Sequence, residues 1–338
     1  MVTSRPALVL LLAACGSSAG SYEHAPARWE GRAPVPDART EVSVASDDSL
    51  IYLIGGYGRG EGRRPSAPRA MLVYDPATDR WTTAGEIPEG LNHASLAAVG
   101  RRLYIVGGFR GSGRSATGAV RIYDPAQRTW RDGASMPTPR GALAVAVLDG
   151  KIHAIGGNAA GGLELEPHDH GAPAQDRSVG THEVYDPALD TWTRLEPMLT
   201  ARNHLGAAAI GGKVHVVGGR VPGDMELRTH EIYDPATDTW EAGPPMPTGR
   251  SGIAVVAHRG RLYVFGGETV RRWSSKTFDQ AERFDPATGR WEVLPPMPTA
   301  RHGLGAASVG EAVYVLSGGP KPGLTLGAAN ERLVERDP

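Results

Sequence analysis

The sequence is short of cysteine. Its single thiol, Cys15, stands near the start, so a disulfide within the chain is excluded. An excess of charge of one sign is lacking too. The 36 Lys and Arg face 37 Asp and Glu, and no basic run stands out, which argues against a nucleic-acid footprint. Long apolar runs are scarce. The run from Ala7 to Ala14 in "MVTSRPALVLLLAACGSS" is too short to span a membrane. Punctuation, by contrast, is plentiful. Forty-five glycines and 27 prolines in 338 residues favour many short strands and turns over long helices. With 40% hydrophobic residues the chain can fill a large core and is too balanced for disorder.

The opening segment has a basic Arg5, the short apolar run and small residues before Cys15. That is a signal-peptide layout over residues 1–14. "LAAC" (Leu12 to Cys15) resembles the lipobox of bacterial lipoproteins. The resemblance implies cleavage before Cys15, lipidation of Cys15 and a protein exported to the bacterial cell envelope on a lipid anchor. Gly16 rather than Asp follows, which under the Gram-negative sorting rule implies the outer membrane. Residues 15–28 are small, polar and proline-bearing, and read as a tether.

The rest of the chain repeats itself. "YDPATDRW" (Tyr74 to Trp81) returns as "YDPAQRTW", "YDPALDTW", "YDPATDTW" and "FDPATGRW", beginning at Tyr123, Tyr185, Tyr233 and Phe284. Diglycines begin at Gly55, Gly107, Gly156, Gly218 and Gly266, and Ser317 takes the first glycine's place in a sixth unit. Each lies 26 residues after a tryptophan: Trp29, Trp81, Trp130, Trp192, Trp240 and Trp291. The span from a diglycine to the next tryptophan varies, so one half of each unit is rigid in length and the other holds a variable loop. The rigid half reads as a hairpin, as in "GALAVAVLDGKIHAIGG" with its Asp149-Gly150 turn. A third strand ends at the YDP proline, which cannot donate to a ladder, and a fourth begins at the tryptophan.

The diglycine, the "YDP", the tryptophan seven residues after its tyrosine and the following "PMPTxR" resemble the kelch family over residues 29–338. That resemblance implies an all-β fold: a six-bladed β-propeller with four-stranded antiparallel blades. The chain stops after a third strand, "RLVERDP", and Trp29 belongs to a fourth with no preceding three. Residues 28–33 are therefore expected to close the ring as the outer strand of the last blade. A rival closure would use residues 22–28, since Tyr22 lies seven before Trp29.

Function is expected on the face that carries the loops after strands two and four. Ten residues after each tryptophan come Arg39, Leu91, Arg140, Arg202, Arg250 and Arg301. They read either as a basic ring at the channel mouth, suited to carboxylates and acidic groups, or as scaffold residues bonding backbone carbonyls. Beside them stand Thr40, Glu41, Asn92, His93, Asn203, His204, Ser251 and His302. After the diglycines come Tyr57, Arg59, Phe109, Arg110, Asn158, Arg220 and Glu268. Trp273 belongs to no blade and could stack on a ligand or plug its own loop. In the long insertion between Asn158 and Gly180, His168, Asp169 and His170 could ligate a metal, but without an established spacing. No cofactor motif is found.

Two functions follow. One is a non-catalytic binding module, a monomer whose partner is a protein or acidic glycan. The other is an enzyme: some exported bacterial kelch propellers act as sialic-acid mutarotases. That resemblance implies arginines holding a carboxylate and an acid or base among Glu41, His93, His204 and His302. The copper chemistry of galactose oxidase needs a Tyr–Cys crosslink, which no cysteine after Cys15 can supply.

Overall fold

The computed structural model describes residues 27–47, 49–61, 64–159, 177–271 and 274–335. It is a six-bladed propeller of four-stranded antiparallel sheets. Blade one is Ser43–Ser46, Ile51–Ile54, Ala70–Asp75 and Arg80–Glu86. Blade two is Ser95–Val99, Arg102–Val106, Val120–Asp124 and Thr129–Gly133. Blade three is Ala144–Leu148, Lys151–Ile155, His182–Asp186 and Thr191–Leu195. Blade four is Gly206–Ile210, Lys213–Val217, His230–Asp234 and Thr239–Ala242. Blade five is Ala254–His258, Arg261–Phe265, Ala281–Asp285 and Arg290–Val293. Blade six takes Gly305–Val309, Ala312–Leu316 and Asn330–Glu335 from one end of the chain and Ala27–Gly31 from the other. Trp29 faces Leu333 in that last ladder. The closing strand thus starts at Ala27, inside the segment expected as tether.

The six innermost strands stand in a circle, each touching the next, and Gly305–Val309 touches Ser43–Ser46 to complete it. Third strands end at Asp75, Asp124, Asp186, Asp234 and Asp285, each followed by proline. The Asp149-Gly150 turn has both residues at positive φ (51° and 73°), as a two-residue hairpin of this twist requires. Between blades the core is apolar. Ala144, Leu148 and Ile155 of blade three meet Val214, Val216 and Tyr233 of blade four.

The repeated octet is a clip between blades. Trp192 donates its indole N–H to the carbonyl of Ala134 (2.7 Å), at the end of the preceding blade, and Asp190 accepts the N–H of the same Ala134 (2.7 Å). Tyr185 donates its hydroxyl to that carboxylate. Trp81 and Asp79 hold Ala33 in the same way, and Trp240 and Asp238 hold Glu196. In blade five the tryptophan is kept and the aspartate is Gly289. There Trp291 bonds the carbonyl of Pro244, which has no N–H for a carboxylate to accept.

The diglycine is the second seam. The second glycine donates its N–H to the carbonyl of the arginine that opens the next blade. Gly108 reaches Arg140 (2.9 Å), Gly157 reaches Arg202 (3.0 Å), and Gly318 reaches Arg39 (3.0 Å) across the closure. At Gly107 φ is +63° and an added Cβ would lie 2.5 Å from the Arg140 carbonyl oxygen, so both conformation and space demand glycine.

Candidate functional site

The periodic arginines do not form the basic ring expected at the mouth. Arg39, Arg140, Arg202, Arg250 and Arg301 are fully buried. Arg140 donates to the carbonyls of Gly156, Thr138 and Ala154 (2.8 Å each) and pairs with Glu183. Arg202 and Arg250 repeat the pattern with Glu231 (3.0 Å) and Glu282 (2.6 Å), and Arg301 pairs with Glu331. Arg39 bonds the Gly55 and Ala70 carbonyls and Asp37. Guanidinium groups so enclosed do not meet a ligand; they stitch each loop to its own blade. The bond from an arginine to the first glycine of its diglycine, 16 residues on, also accounts for the constant length of that half of the unit. Blade two has neither partner: Leu91 stands for the arginine, and Arg121 for the glutamate.

The mouth is built two residues further on. Glu41, His93, Ala142, His204, Gly252 and Gly303 occupy equivalent positions in the six blades, all at positive φ between 49° and 63°. Backbone bonds run round the axis through this ring, from Ala142 to His93, His204 to Ala142, Gly252 to His204, and Gly303 to Gly252. The ring lines a cavity of about 90 Å³ on the loop face. Glycine would adopt this conformation at no steric cost, so Glu and His here hold strain that packing alone does not call for.

The ionisable side chains converge. Glu41 Oε2 lies 3.3 Å from His93 Nε2, and Glu41 Oε1 lies 3.7 Å from His302 Nε2. His302 is 3.5 Å from Glu268, and Arg220 spans from Glu268 (3.4 Å) to His204 Nε2 (2.9 Å). Tyr57 and Phe109 pack edge-on against the His93 ring. Burial pushes both His93 and His204 well below the ordinary imidazole range, helped by the positive charges of Arg114 and Arg220. Burial raises the Glu41 carboxyl, with His302, Arg220 and Arg114 pulling the other way and Glu268 adding to the rise.

The hydrogen bonds fix the tautomers. Asn92 spends its amide N–H groups on the carbonyls of Gly111 (2.8 Å) and Gly113 (3.0 Å), so its oxygen accepts from His93 Nδ1 (2.6 Å). Asn203 donates to Ser178, and its oxygen accepts both from Arg220 and from His204 Nδ1. Each histidine therefore carries its proton on Nδ1 and turns a bare Nε2 toward the cavity.

Of the residues expected at the site, Glu41, His93, His204, His302, Arg220, Tyr57 and Phe109 are brought together there. Asn92 and Asn203 orient the histidines. Ser251 is buried against the Glu268 carbonyl. Arg110 pairs with Glu89 away from the mouth. Cys15, His168, Asp169, His170 and Trp273 lie outside the described residues. Sequence reasoning missed Arg114, whose charge acts on Glu41, His93 and His204. It also missed the ring as a ring. The signal was the column twelve residues after each tryptophan, where one Glu and two His share a position with Ala and two Gly.

Comparison with known proteins agrees with this architecture. Family models described as "Kelch motif" match residues 38–88, 91–137, 201–247 and 249–298. The Kelch-like protein terF of Aspergillus terreus is 37% identical over 82 residues, which is 24% of this chain and 18% of that protein. The human Kelch repeat and BTB domain-containing protein 12 is 30% identical over 101 residues, 28% of this chain and 16% of that one. The matched part thus spans less than a fifth of these curated relatives. The solved structure of YjhT superposes with a TM-score of 0.71 at 16% identity, covering 88% of this chain and 95% of its own. That likeness carries the fold alone. On repeats that cover more than half of its length and on the propeller they build, the chain belongs to the kelch-repeat family.

Proposed function

We propose that the protein is a binding module whose loop face receives an acidic group of a protein or glycan at the axial mouth. One observation carries this reading. Among the described residues, five of six blades deliver an ionisable side chain to one point on the axis, and several do so from backbone positions that glycine would fill more cheaply. Arg220 brings a cation to this point with part of its surface still exposed, and the charge of Arg114 acts on the same groups. The cavity of about 90 Å³ is far below the roughly 300–1,000 Å³ of pockets that enclose a small ligand, so it suits the tip of a larger partner. The test is capture on an array of sialylated, uronate-bearing and neutral glycans and acidic peptides. Selective capture of acidic members, lost on Arg220→Gln, is expected. Capture indifferent to acid groups or to that substitution defeats the reading.

A second reading rests on the Glu41–His93 pair. A carboxyl with a raised pKa beside a neutral imidazole is a general acid–base arrangement, of the kind a sugar mutarotase needs. Anomer equilibration of sialic acid followed by NMR decides it: no acceleration over buffer, or acceleration that survives Glu41→Gln, removes it.

Export and a lipid on Cys15 are part of the proposal and rest on the N-terminal sequence. Incorporation of labelled palmitate that disappears in Cys15→Ser is expected; a released, unlabelled protein overturns it.

A further inference from the structure

Glu41 and His93 pose a problem of hydrogen bonding. The Asn92 amide fixes the proton of His93 on Nδ1, so Nε2 is an acceptor. It faces Glu41 Oε2 at 3.3 Å, and an ionised carboxylate is also only an acceptor. Two acceptors at that distance are held together by a proton on Glu41 or by a cation between them. His204 Nε2 adds a third lone pair, and one ligand atom from each of Glu41, His93 and His204 lies within 4.8 Å of the others.

We propose that this hub binds a divalent transition metal ion of the zinc class, through a carboxylate oxygen of Glu41 and Nε2 of His93 and His204. The donor set is two imidazoles and one carboxylate, a combination that zinc accepts with a fourth position left open. Ligand bonds of about 2.0–2.1 Å at tetrahedral angles separate donor atoms by about 3.3 Å, the spacing seen between Glu41 and His93. Each histidine has the supporting partner that metal-bound imidazoles need, a hydrogen bond from Nδ1 to Asn92 or Asn203. The cavity, about 90 Å³, has room for an ion and a few waters. Glu268 and His302 stand behind Glu41 as a second carboxylate and imidazole.

Arg220 is the competitor. Its guanidinium donates to His204 Nε2 at 2.9 Å, so a metal must displace that bond. With Arg114 it also adds positive charge around the mouth, which weakens the hold on a cation and favours an anion at the open position. Loss of Arg220 should therefore tighten the metal site while abolishing capture of acidic ligands, which separates this inference from the proposed binding function.

The experiment is titration of the metal-free, full-length protein with Co2+ and Zn2+, read by visible absorption and calorimetry. One equivalent is expected, with the intense visible bands of low-coordinate Co2+ displaced by Zn2+. His93→Gln and His204→Gln should each lose the bands, and Asn92→Ala should weaken affinity by about 10–100-fold. His168→Ala/His170→Ala should change nothing, and Arg220→Gln should bind more tightly. Wild-type protein without the bands overturns the proposal and leaves a protonated Glu41 as the bridge. So does a site that survives both hub substitutions, or one that vanishes with His168 and His170.

Discussion

Glu282 lies 2.6 Å from Arg250, and neither side chain meets water. Burial depresses the guanidinium pKa and the glutamate opposes that shift, so the charge is kept by its partner. Glu282→Ala would leave a buried cation with carbonyls alone. A loss of roughly 3–5 kcal/mol is expected in denaturant unfolding, as for other broken buried pairs. A change under about 0.5 kcal/mol, the size of an ordinary surface substitution, would refute the pairing. The arginine column was plain in the sequence; its direction was not. Repetition marks a residue as needed in every blade, and it is silent on whether the side chain turns toward solvent or into the sheet. The partner column held the missing clue. Glu183, Glu231, Glu282 and Glu331 recur two residues before the YDP aromatic or its equivalent, and where Arg121 replaces the glutamate, Leu91 replaces the arginine. Gly289 opposite Pro244 is a similar paired change, legible only once the clip is known.

Strands two and three of blades three and four carry a buried imidazole ladder. His153 meets His182 and His215 meets His230, each pair at 2.9 Å. The pairs pack on the aromatic rings of the next blade, Tyr233 and Trp240 for one and Phe284 and Trp291 for the other. Burial lowers His153 and His230 to about 4 and His182 and His215 to about 3. The unfolded chain binds these protons near pH 6.5, and the folded chain does not until pH 4 or below. Stability is therefore whole above pH 6.5 and falls as pH drops toward 4. Melting temperatures should be nearly level from pH 7.5 to 6.5 and then decline through pH 5.5 and 5.0, in a range above most carboxylate titration. His215→Asn/His230→Asn should flatten that decline, whatever its melting point at pH 7.5; an unchanged slope would dissociate these rings from acid sensitivity. The elements themselves were readable from hairpin turns and proline stops. The ladder was not, because strand histidines show no periodicity that separates a buried pair from an exposed one.

At the scale of the whole wheel, the two chain ends meet in one sheet. Ala27–Gly31 covers the edge of Asn330–Glu335, and Trp29 latches blade six to blade five through the Pro295 carbonyl (2.9 Å). Glu30 adds an ion pair with Arg332 (2.6 Å). Without this strand, a six-residue edge would stand open, with leucine and valine behind it and no partner for alternate backbone groups. The fold is otherwise a sum of neighbour contacts, and among the described residues no other strand lies against that edge. A chain beginning after Gly31 should still form its remaining sheets. It should also melt at lower temperature and associate through the bare edge, seen as larger species in size-exclusion chromatography coupled to light scattering. A synthetic peptide spanning residues 24–33 should restore the size of the full-length protein, and the same peptide with Trp29→Ala should do so less well. A truncated chain that keeps the full-length protein's association state and melting point would show that closure resides elsewhere, in the Gly318–Arg39 seam and the contact of the innermost strands alone.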